Sequence, residues 1–440
     1  MKKYPYLICL LLGLTCHAHE SWTIDQCMQY AVTNSRDVRL KSITLDDYKI
    51  EKVRAVGAFL PSVGGSVGGQ YNFGRAIDPE TNTYTDVSTF NNSYALSASL
   101  PVFDGFQRYH ELRAAKFNVL MGKSQLEAQK DATAQQVLES CVLLLYYKGC
   151  IDFAVQKRAE SDMLLRQTRM MVEVGQKGEA DLAQMQATYA SDDYEVTRQQ
   201  GLYDKTLLAL KQLMNYPVGD TLEIDASSEV SQDAIVMDGS QLYEQARLIN
   251  PDIRQAEYSL LSARYAYRSS KGALFPSVSL GAGISTNYYK QLHVTNMSSF
   301  REQFRNNAGE YVYATLSIPL FNRLNTLSNI RRQRNNVRRA EEELAFRNTE
   351  LQRLIAETIT DQKNSWKETE KMRLKVASDS IAMHLTVRKY EEGLASSIDV
   401  QTQSVILLQS KAQLLNCQLT YLYRTRMLNY YQGIPLWTEK

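Results

Sequence analysis

The chain is an internal duplication, and this repeat constrains its fold more than any other feature of its 440 residues. The motif Phe59–Val63 (FLPSV) recurs as Leu274–Val278 (LFPSV), with its proline 215 positions later. Farther along, Pro101–Asp104 (PVFD) recurs as Pro319–Asn322 (PLFN), 218 positions later. Matches in the same order at nearly one spacing indicate one folding unit used twice, unlike a solenoid of many short repeats. Each half is expected to run helix, strand, strand, long helix, helix.

Four segments alternate between apolar and small polar residues with period two. They cover about residues 62–74, 93–103, 277–289 and 311–321. This length and this alternation are typical of transmembrane β-strands. A half-buried sheet in a water-soluble domain has the same period, and that alternative stays open. Small polar side chains on one face and aromatic residues at the strand ends favour the membrane.

Four strands are too few to enclose a lumen. Closed membrane barrels begin at about eight strands, and an open sheet edge in lipid leaves backbone groups without hydrogen bonds. If these segments span a bilayer, several copies of the chain must share one barrel. Two copies would supply eight strands and three copies twelve, and the pattern does not choose between them.

Two very long helical hairpins are expected over about residues 104–214 and 322–431. No proline lies between 104 and 174, and neither proline nor glycine lies between 322 and 392. About 70 helical residues span roughly 105 Å. The hairpins are expected to turn at Gly175 and Gly393, which lie 218 positions apart. An exported coiled-coil structural tether without a pore is the alternative interpretation.

The N-terminus has the pattern of an export signal over residues 1–18. Lys2 and Lys3 precede a short apolar run, and Ala18 supplies the small residue at the cut. Lipid attachment at Cys16 stays open.

The net charge of +2 gives no reason to expect nucleic acid as a partner. No catalytic, cofactor or metal motif is evident, so the chain is not expected to be an enzyme.

The order of these features resembles the TolC-type outer-membrane efflux family. The resemblance covers about residues 21–433, and its most specific part is Tyr390–Val400 (YEEGLASSIDV). It implies an α+β fold and a homotrimer, with a shared twelve-stranded barrel in outer-membrane lipid and a helical barrel extending into the periplasm. It also implies an exit duct that receives substrates from an inner-membrane transporter through a periplasmic adaptor protein. Drugs, metal ions and polypeptides are all compatible cargoes, and the class of pump stays open.

On this resemblance the first repeat covers 19–245, including a mid-tunnel segment over 215–245, and the second covers 246–440. The implied site residues lie at the two hairpin turns. Val174, Gly175, Gly393 and Leu394 match the turns that dock the adaptor, and Tyr390, Asp399 and Asp181 match the periplasmic gate.

Where some family members have an arginine two residues after the turn glycine, this chain has Ala395, so the way the gate is held shut stays open. Arg388 or Lys389 is a possible substitute. Three symmetry-related copies of Asp399 would form a ring that repels like charges and attracts cations. Helix capping is the alternative role for Asp399 and Asp181, and packing between helices is the alternative for Tyr390.

Overall fold

The structure is a computed structural model that describes residues 21–77, 82–86, 88–225, 238–292 and 297–437. The expected signal peptide over 1–18, with Cys16, lies outside the described residues, as do residues 226–237 of the expected mid-tunnel segment. The chain forms two compact units. The helical unit contains residues up to 41, 126–250 and those from 349 onward, and the sheet unit contains residues 42–125 and 251–348.

The α+β class is confirmed, since the chain is mostly helical and has one four-stranded antiparallel sheet. In chain order the elements are α1 (Ile24–Asn34), α2 (Arg36–Gly57), β1 (Ser62–Asn72), β2 (Arg75–Ile77), β3 (Tyr84–Asp86), β4 (Thr89–Phe103), α3 (Gln107–Glu173), α4 (Glu179–Met214), α5 (Gly239–Ile249), α6 (Pro251–Gly272), β5 (Ser277–Gln291), α7 (Phe300–Asn306), β6 (Gly309–Ser317), α8 (Asn325–Glu391) and α9 (Ser397–Tyr431). Apart from β2, β3 and α7, the second half repeats the element order of the first.

No helix in the described part of the chain combines the length and the hydropathy that a bilayer-crossing segment needs.

The core of the helical unit follows one face of α3. The buried residues there recur every three to four positions, which is the spacing of a single helix face. They are Ala134, Val137, Leu138, Cys141, Leu144 and Leu145. Each fully buried leucine contributes about 1.5–3 kcal/mol relative to an exposed one. The cysteines at 27, 141, 150 and 417 are buried, and the described residues contain no disulfide.

The sheet has the strand order β1-β4-β5-β6 with antiparallel neighbours throughout. Directly opposed pairs such as Leu96 with Ile284 and Leu100 with Leu280 fix the register of the two central strands. Strand β6 ends at Ser317, opposite Ser277 at the start of β5, and not at 321 as expected. Pro319 lies just beyond and has no N–H to donate to a ladder. Strand β4 begins at Thr89, four residues before the expected start.

The register places apolar residues on one face of the sheet, and small polar residues together with Tyr311 and Tyr313 on the other. The apolar face carries Val63, Val67, Leu96, Leu100, Leu280, Ile284, Val312 and Leu316. The polar face includes Ser62, Ser66, Ser93, Ser97, Ser99, Gly281, Gly283 and Thr315. The outer strands β1 and β6 are exposed along almost their whole length. Each pairs with a single neighbour, so each has an open edge of backbone groups within the described chain.

Three short elements were not expected from the sequence. The segments 75–92 and 290–310 are long and polar and predict outward-facing loops, but the first contains the short β2-β3 ribbon and the second contains α7. A helix of seven residues is too short to give a periodic apolar pattern. Its start does have a signal in the sequence, because Ser299 caps it by accepting from the Glu302 N–H at 3.3 Å.

Candidate functional site: the turns of the helical hairpins

The first hairpin turns through a Schellman motif centred on Gly175. The Gln176 N–H donates to the Met171 carbonyl at 2.8 Å, and the Gly175 N–H donates to the Val172 carbonyl at 2.9 Å. Gly175 has a φ of +76°, the left-handed region that glycine adopts without steric cost. These two bonds satisfy carbonyls that the end of α3 would otherwise leave without donors.

The second hairpin repeats this motif 218 positions later. The Leu394 N–H donates to the Lys389 carbonyl at 2.7 Å, and the Gly393 N–H donates to the Tyr390 carbonyl at 3.1 Å. Gly393 has a φ of +77°. The two turns therefore have one backbone geometry, as the duplication predicts.

Both turns present apolar side chains to solvent. Val174 has 69% of its surface exposed and Leu394 has 74%. Ile398, on the first turn of α9, is 60% exposed and was not singled out from the sequence. Together these exposed apolar side chains make the hairpin ends a candidate contact surface.

The helices that leave the turns begin with unequal caps. Asp399 and Ser396 form a full capping box at the start of α9: the Ser396 N–H donates to Asp399 Oδ2 at 2.8 Å, and the Asp399 N–H donates to Ser396 Oγ at 3.2 Å. Asp181 accepts only a long bond of 3.4 Å from the Gly178 N–H, and Gly178 has no side chain to return one. Bonds from the Ser396 hydroxyl and N–H hold the pKa of Asp399 below its usual value.

Tyr390 is fully buried in an apolar cluster between the two hairpins. The cluster contains Leu164, Leu165, Met185, Met383, Tyr390 and Val400. The Tyr390 hydroxyl lies 2.7 Å from Thr168 Oγ1, and Thr168 Oγ1 lies 2.8 Å from the Leu164 carbonyl. A carbonyl cannot donate, so Thr168 spends its single proton there, and Tyr390 must donate to Thr168.

A cation from the first turn covers the ring of the same tyrosine. Lys177 Nζ lies 3.2 Å from the centroid of the Tyr390 ring, which is a cation–π contact. The structure therefore joins Tyr390 to the first hairpin by two contacts that were not expected from the sequence. The sequence does hold a signal for the second: Lys177 follows Gly175 by two positions, the place that Ala395 occupies after Gly393.

The remaining candidates do not converge on Tyr390. Asp181 and Asp399 each bond within their own helix cap. Arg388 and Lys389 are exposed, and their side chains make no hydrogen bond or ion pair within the described residues. Nor do the described residues contain a cluster of His, Cys, Asp and Glu side chains arranged to hold a metal ion.

A buried ion pair joins the two helices of the first hairpin above its turn. Lys157 Nζ of α3 lies 3.0 Å from Asp192 Oδ1 of α4, and the two side chains are only 14% and 4% exposed. The second carboxylate oxygen of Asp192 is buried without a hydrogen-bond partner. Ser161, one turn along α3, donates instead to the Arg158 carbonyl at 3.0 Å.

The second hairpin has the same three residue types at the three equivalent positions, with aspartate and serine exchanged. Lys375 and Asp379 of α8 form a 2.6 Å pair, and Lys375 also contacts Ser410 of α9 at 2.6 Å. These three residues lie 218 positions after Lys157, Ser161 and Asp192 respectively. We call each set of three a polar clamp. The second clamp is more open, since the Lys375 side chain is 50% exposed.

The structure combines duplicated helical hairpins that turn at glycine with an amphipathic four-stranded sheet. This is the combination of features that the sequence predicts for a TolC-type outer-membrane protein. The model of the family described as outer membrane efflux protein matches residues 29–216 and again 242–430. The chain belongs to the outer membrane efflux protein family, and it is accordingly an outer-membrane protein that extends into the periplasm.

Relatives and solved structures agree with this assignment. The toluene efflux pump outer membrane protein TtgC of Pseudomonas putida is 23% identical over 266 residues, which cover 59% of this chain and 53% of TtgC, so this chain spans about half of that relative. The cation efflux system protein CusC of Escherichia coli is 23% identical over 419 residues, which cover 92% of this chain and 84% of CusC. The crystal structure of the outer membrane protein VceC of Vibrio cholerae matches with a TM-score of 0.78 at 14% identity, covering 93% of this chain and 96% of VceC.

Proposed function

We propose that three copies of this chain form an outer-membrane channel that carries substrates out of the cell. The substrates arrive from an inner-membrane transporter through a periplasmic adaptor protein, and the chain itself catalyses no reaction. The observation that supports this function is a four-stranded sheet with one apolar face and two open edges.

The open edges make a single copy unsuitable as a membrane-spanning body. Each unsatisfied backbone group in hydrocarbon costs several kcal/mol, so the edges of β1 and β6 require partner strands. Pairing β1 of one copy with β6 of the next satisfies both edges at once. Three copies then give twelve strands, with the apolar face toward lipid and the serine and glycine face toward the lumen.

The periplasmic gate is proposed to rest on Tyr390. Its hydroxyl bonds Thr168 and its ring is covered by Lys177, so it ties the end of the second hairpin to the first. Lys177 then supplies the cation that is missing at Ala395. Asp399 and Asp181 lie at the starts of the returning helices, where three-fold symmetry would repeat each carboxylate around the closed end.

The adaptor is proposed to dock on the exposed turns. Val174 and Leu394 offer apolar contacts, and Gly175 and Gly393 hold both turns in one backbone geometry. A partner with apolar side chains in a matching groove would bury these residues.

The experiment compares two lysine substitutions on neighbouring positions of β4. Leu96→Lys charges the apolar face at the middle of the strand, and Ser97→Lys charges the polar face as its matched control. A lysine on the lipid face at mid-membrane costs about 2–4 kcal/mol. We expect Leu96→Lys to lose outer-membrane insertion, while wild type and Ser97→Lys form conducting channels in planar bilayers. A wild-type protein that is released without detergent and never conducts would support the tether alternative instead.

A further inference from the structure

A continuous band of aromatic rings crosses the apolar face of the sheet at the end where β5 extends past β6. Successive ring centroids lie 4.6 Å apart from Tyr71 to Phe90, 6.4 Å from Phe90 to Tyr288, and 5.2 Å from Tyr288 to Phe300 of α7. Phe304 of α7 lies 5.3 Å from Tyr94 on the same face. Helix α7 therefore lies on the apolar face, within the band.

The edge of β5 holds α7 in this place. Strand β6 begins at Gly309, opposite Ser285, so the backbone of β5 beyond Ser285 has no neighbour on that side. The Gln303 side chain accepts from the Tyr289 N–H and donates to the Tyr289 carbonyl, both at 3.0 Å. Asn307 donates to the Asn287 carbonyl at 3.0 Å. Side chains of α7 and the residue after it thus replace the missing strand.

Three exposed cations border the aromatic band. Arg301 and Arg305 lie one turn apart on α7, about 6 Å along its axis. Lys290 lies on the apolar face of β5, directly opposite Phe90. None of the three makes an ion pair or a side-chain hydrogen bond within the described residues, although Glu302 and Glu310 are nearby in sequence. Cations next to an aromatic band, on the face turned toward lipid, lie at the level of lipid headgroups.

We propose that α7 and Lys290 form a binding site for the phosphate groups of lipid A, the glycolipid anchor of the outer leaflet. This inference rests on the proposed function, because it requires the apolar face to contact lipid. Lipid A carries two phosphates on one rigid disaccharide, so it can engage two or three cations at once, whereas a phosphatidylglycerol headgroup offers one phosphate. Arginine binds phosphate through paired N–H donors, and the aromatic rings cover the adjacent acyl chains.

The test is binding of fluorescent lipid A to the full chain in detergent, measured by anisotropy. The variant K290Q/R301Q/R305Q removes the three cations, and R331Q/R334Q/R338Q on α8 removes three exposed cations elsewhere as a charge-matched control. We expect the first variant to bind at least about tenfold more weakly, the loss of one charge-assisted hydrogen bond, and the control to bind as wild type does. Circular dichroism checks that both are folded, and R301Q/R305Q alone provides a milder change.

Three results would overturn the site: equal affinity of wild type and the triple variant, an equal loss in the control, or phosphatidylglycerol binding as tightly as lipid A. Conductance in planar bilayers separates this inference from the proposed function. A conducting wild type that ignores lipid A refutes only the lipid site. A protein that binds lipid A through these cations but never conducts refutes only the channel.

Discussion

The two polar clamps predict unequal costs for the same substitution in the two hairpins. Replacing Asp192 with serine leaves the Lys157 ammonium buried and unpaired. Removing one partner of a buried ion pair costs about 3–5 kcal/mol. Because 14% of the Lys157 side chain reaches solvent, we expect about 2–3 kcal/mol for Asp192→Ser. Asp379→Ser should cost less than about 1 kcal/mol, since its partner Lys375 is 50% exposed and screened by water.

The exchange of aspartate and serine supplies a rescue experiment. Asp192→Ser combined with Ser161→Asp gives the first hairpin the arrangement of the second, with the carboxylate one turn from Lys157 on the same helix. We expect this double variant to recover most of the stability that Asp192→Ser alone loses.

The assay is thermal unfolding followed by circular dichroism at 222 nm, which gives the midpoint of helix loss. It uses the full chain in one detergent, at one protein concentration and one scan rate. Asp192→Ser should lower the midpoint by a few degrees and Asp379→Ser by much less. Equal losses for the two single variants would refute the burial argument. A double variant no more stable than Asp192→Ser would refute the equivalence of the two clamps.

Three further predictions concern the hairpin turns. Gly393→Ala should destabilise the second hairpin by about 1–2 kcal/mol, because alanine is strained at positive φ; Ala395→Gly serves as the control for helix-end flexibility, and thermal midpoints measure both. Lys177→Gln removes the cation over the Tyr390 ring and should raise the open probability in planar bilayers, whereas Gln176→Ala should not; an unchanged open probability contradicts the latch. Asp399→Ala should lower stability at pH 6. Because the folded-state pKa of Asp399 is lowered, its contribution is complete above the ordinary value of about 3.9 and is lost as pH falls through the folded pKa. A difference between variant and wild type that does not shrink as pH is lowered below about 3.9 refutes the capping role.

The duplication and the two periodicities were enough to predict the class of fold. Alternation with period two located the four strands within a few residues. The absence of proline located α3, and the absence of both proline and glycine located α8. Strand ends were less accurate because pairing sets them: β6 ends at Ser317, where β5 begins at Ser277, two residues before Pro319. Helix α7 was missed because its stability comes from Gln303, Asn307 and aromatic contacts with the sheet, which are remote in sequence.

The hairpin turns were predicted more completely than the contacts around them. Gly175 and Gly393 follow from turn chemistry alone, since a helix commonly ends at a glycine of positive φ. Thr168 and Lys177 were not singled out because their partner, Tyr390, lies more than two hundred residues away. Two roles were open for Asp399, helix capping and a ring of carboxylates at the gate. The structure describes the capping bonds, and the gate ring stays a proposal.

The exchanged clamps also limit the order in which the two halves diverged. One substitution at a time, a hairpin can move its carboxylate only through an intermediate with two aspartates or with none. The intermediate with two aspartates keeps the lysine neutralised. The intermediate with none leaves the lysine ammonium unpaired between two helices. The less costly route adds the new carboxylate before the old one is lost. The variant Ser161→Asp has aspartate at both 161 and 192 and so represents this intermediate, and we expect it to fold.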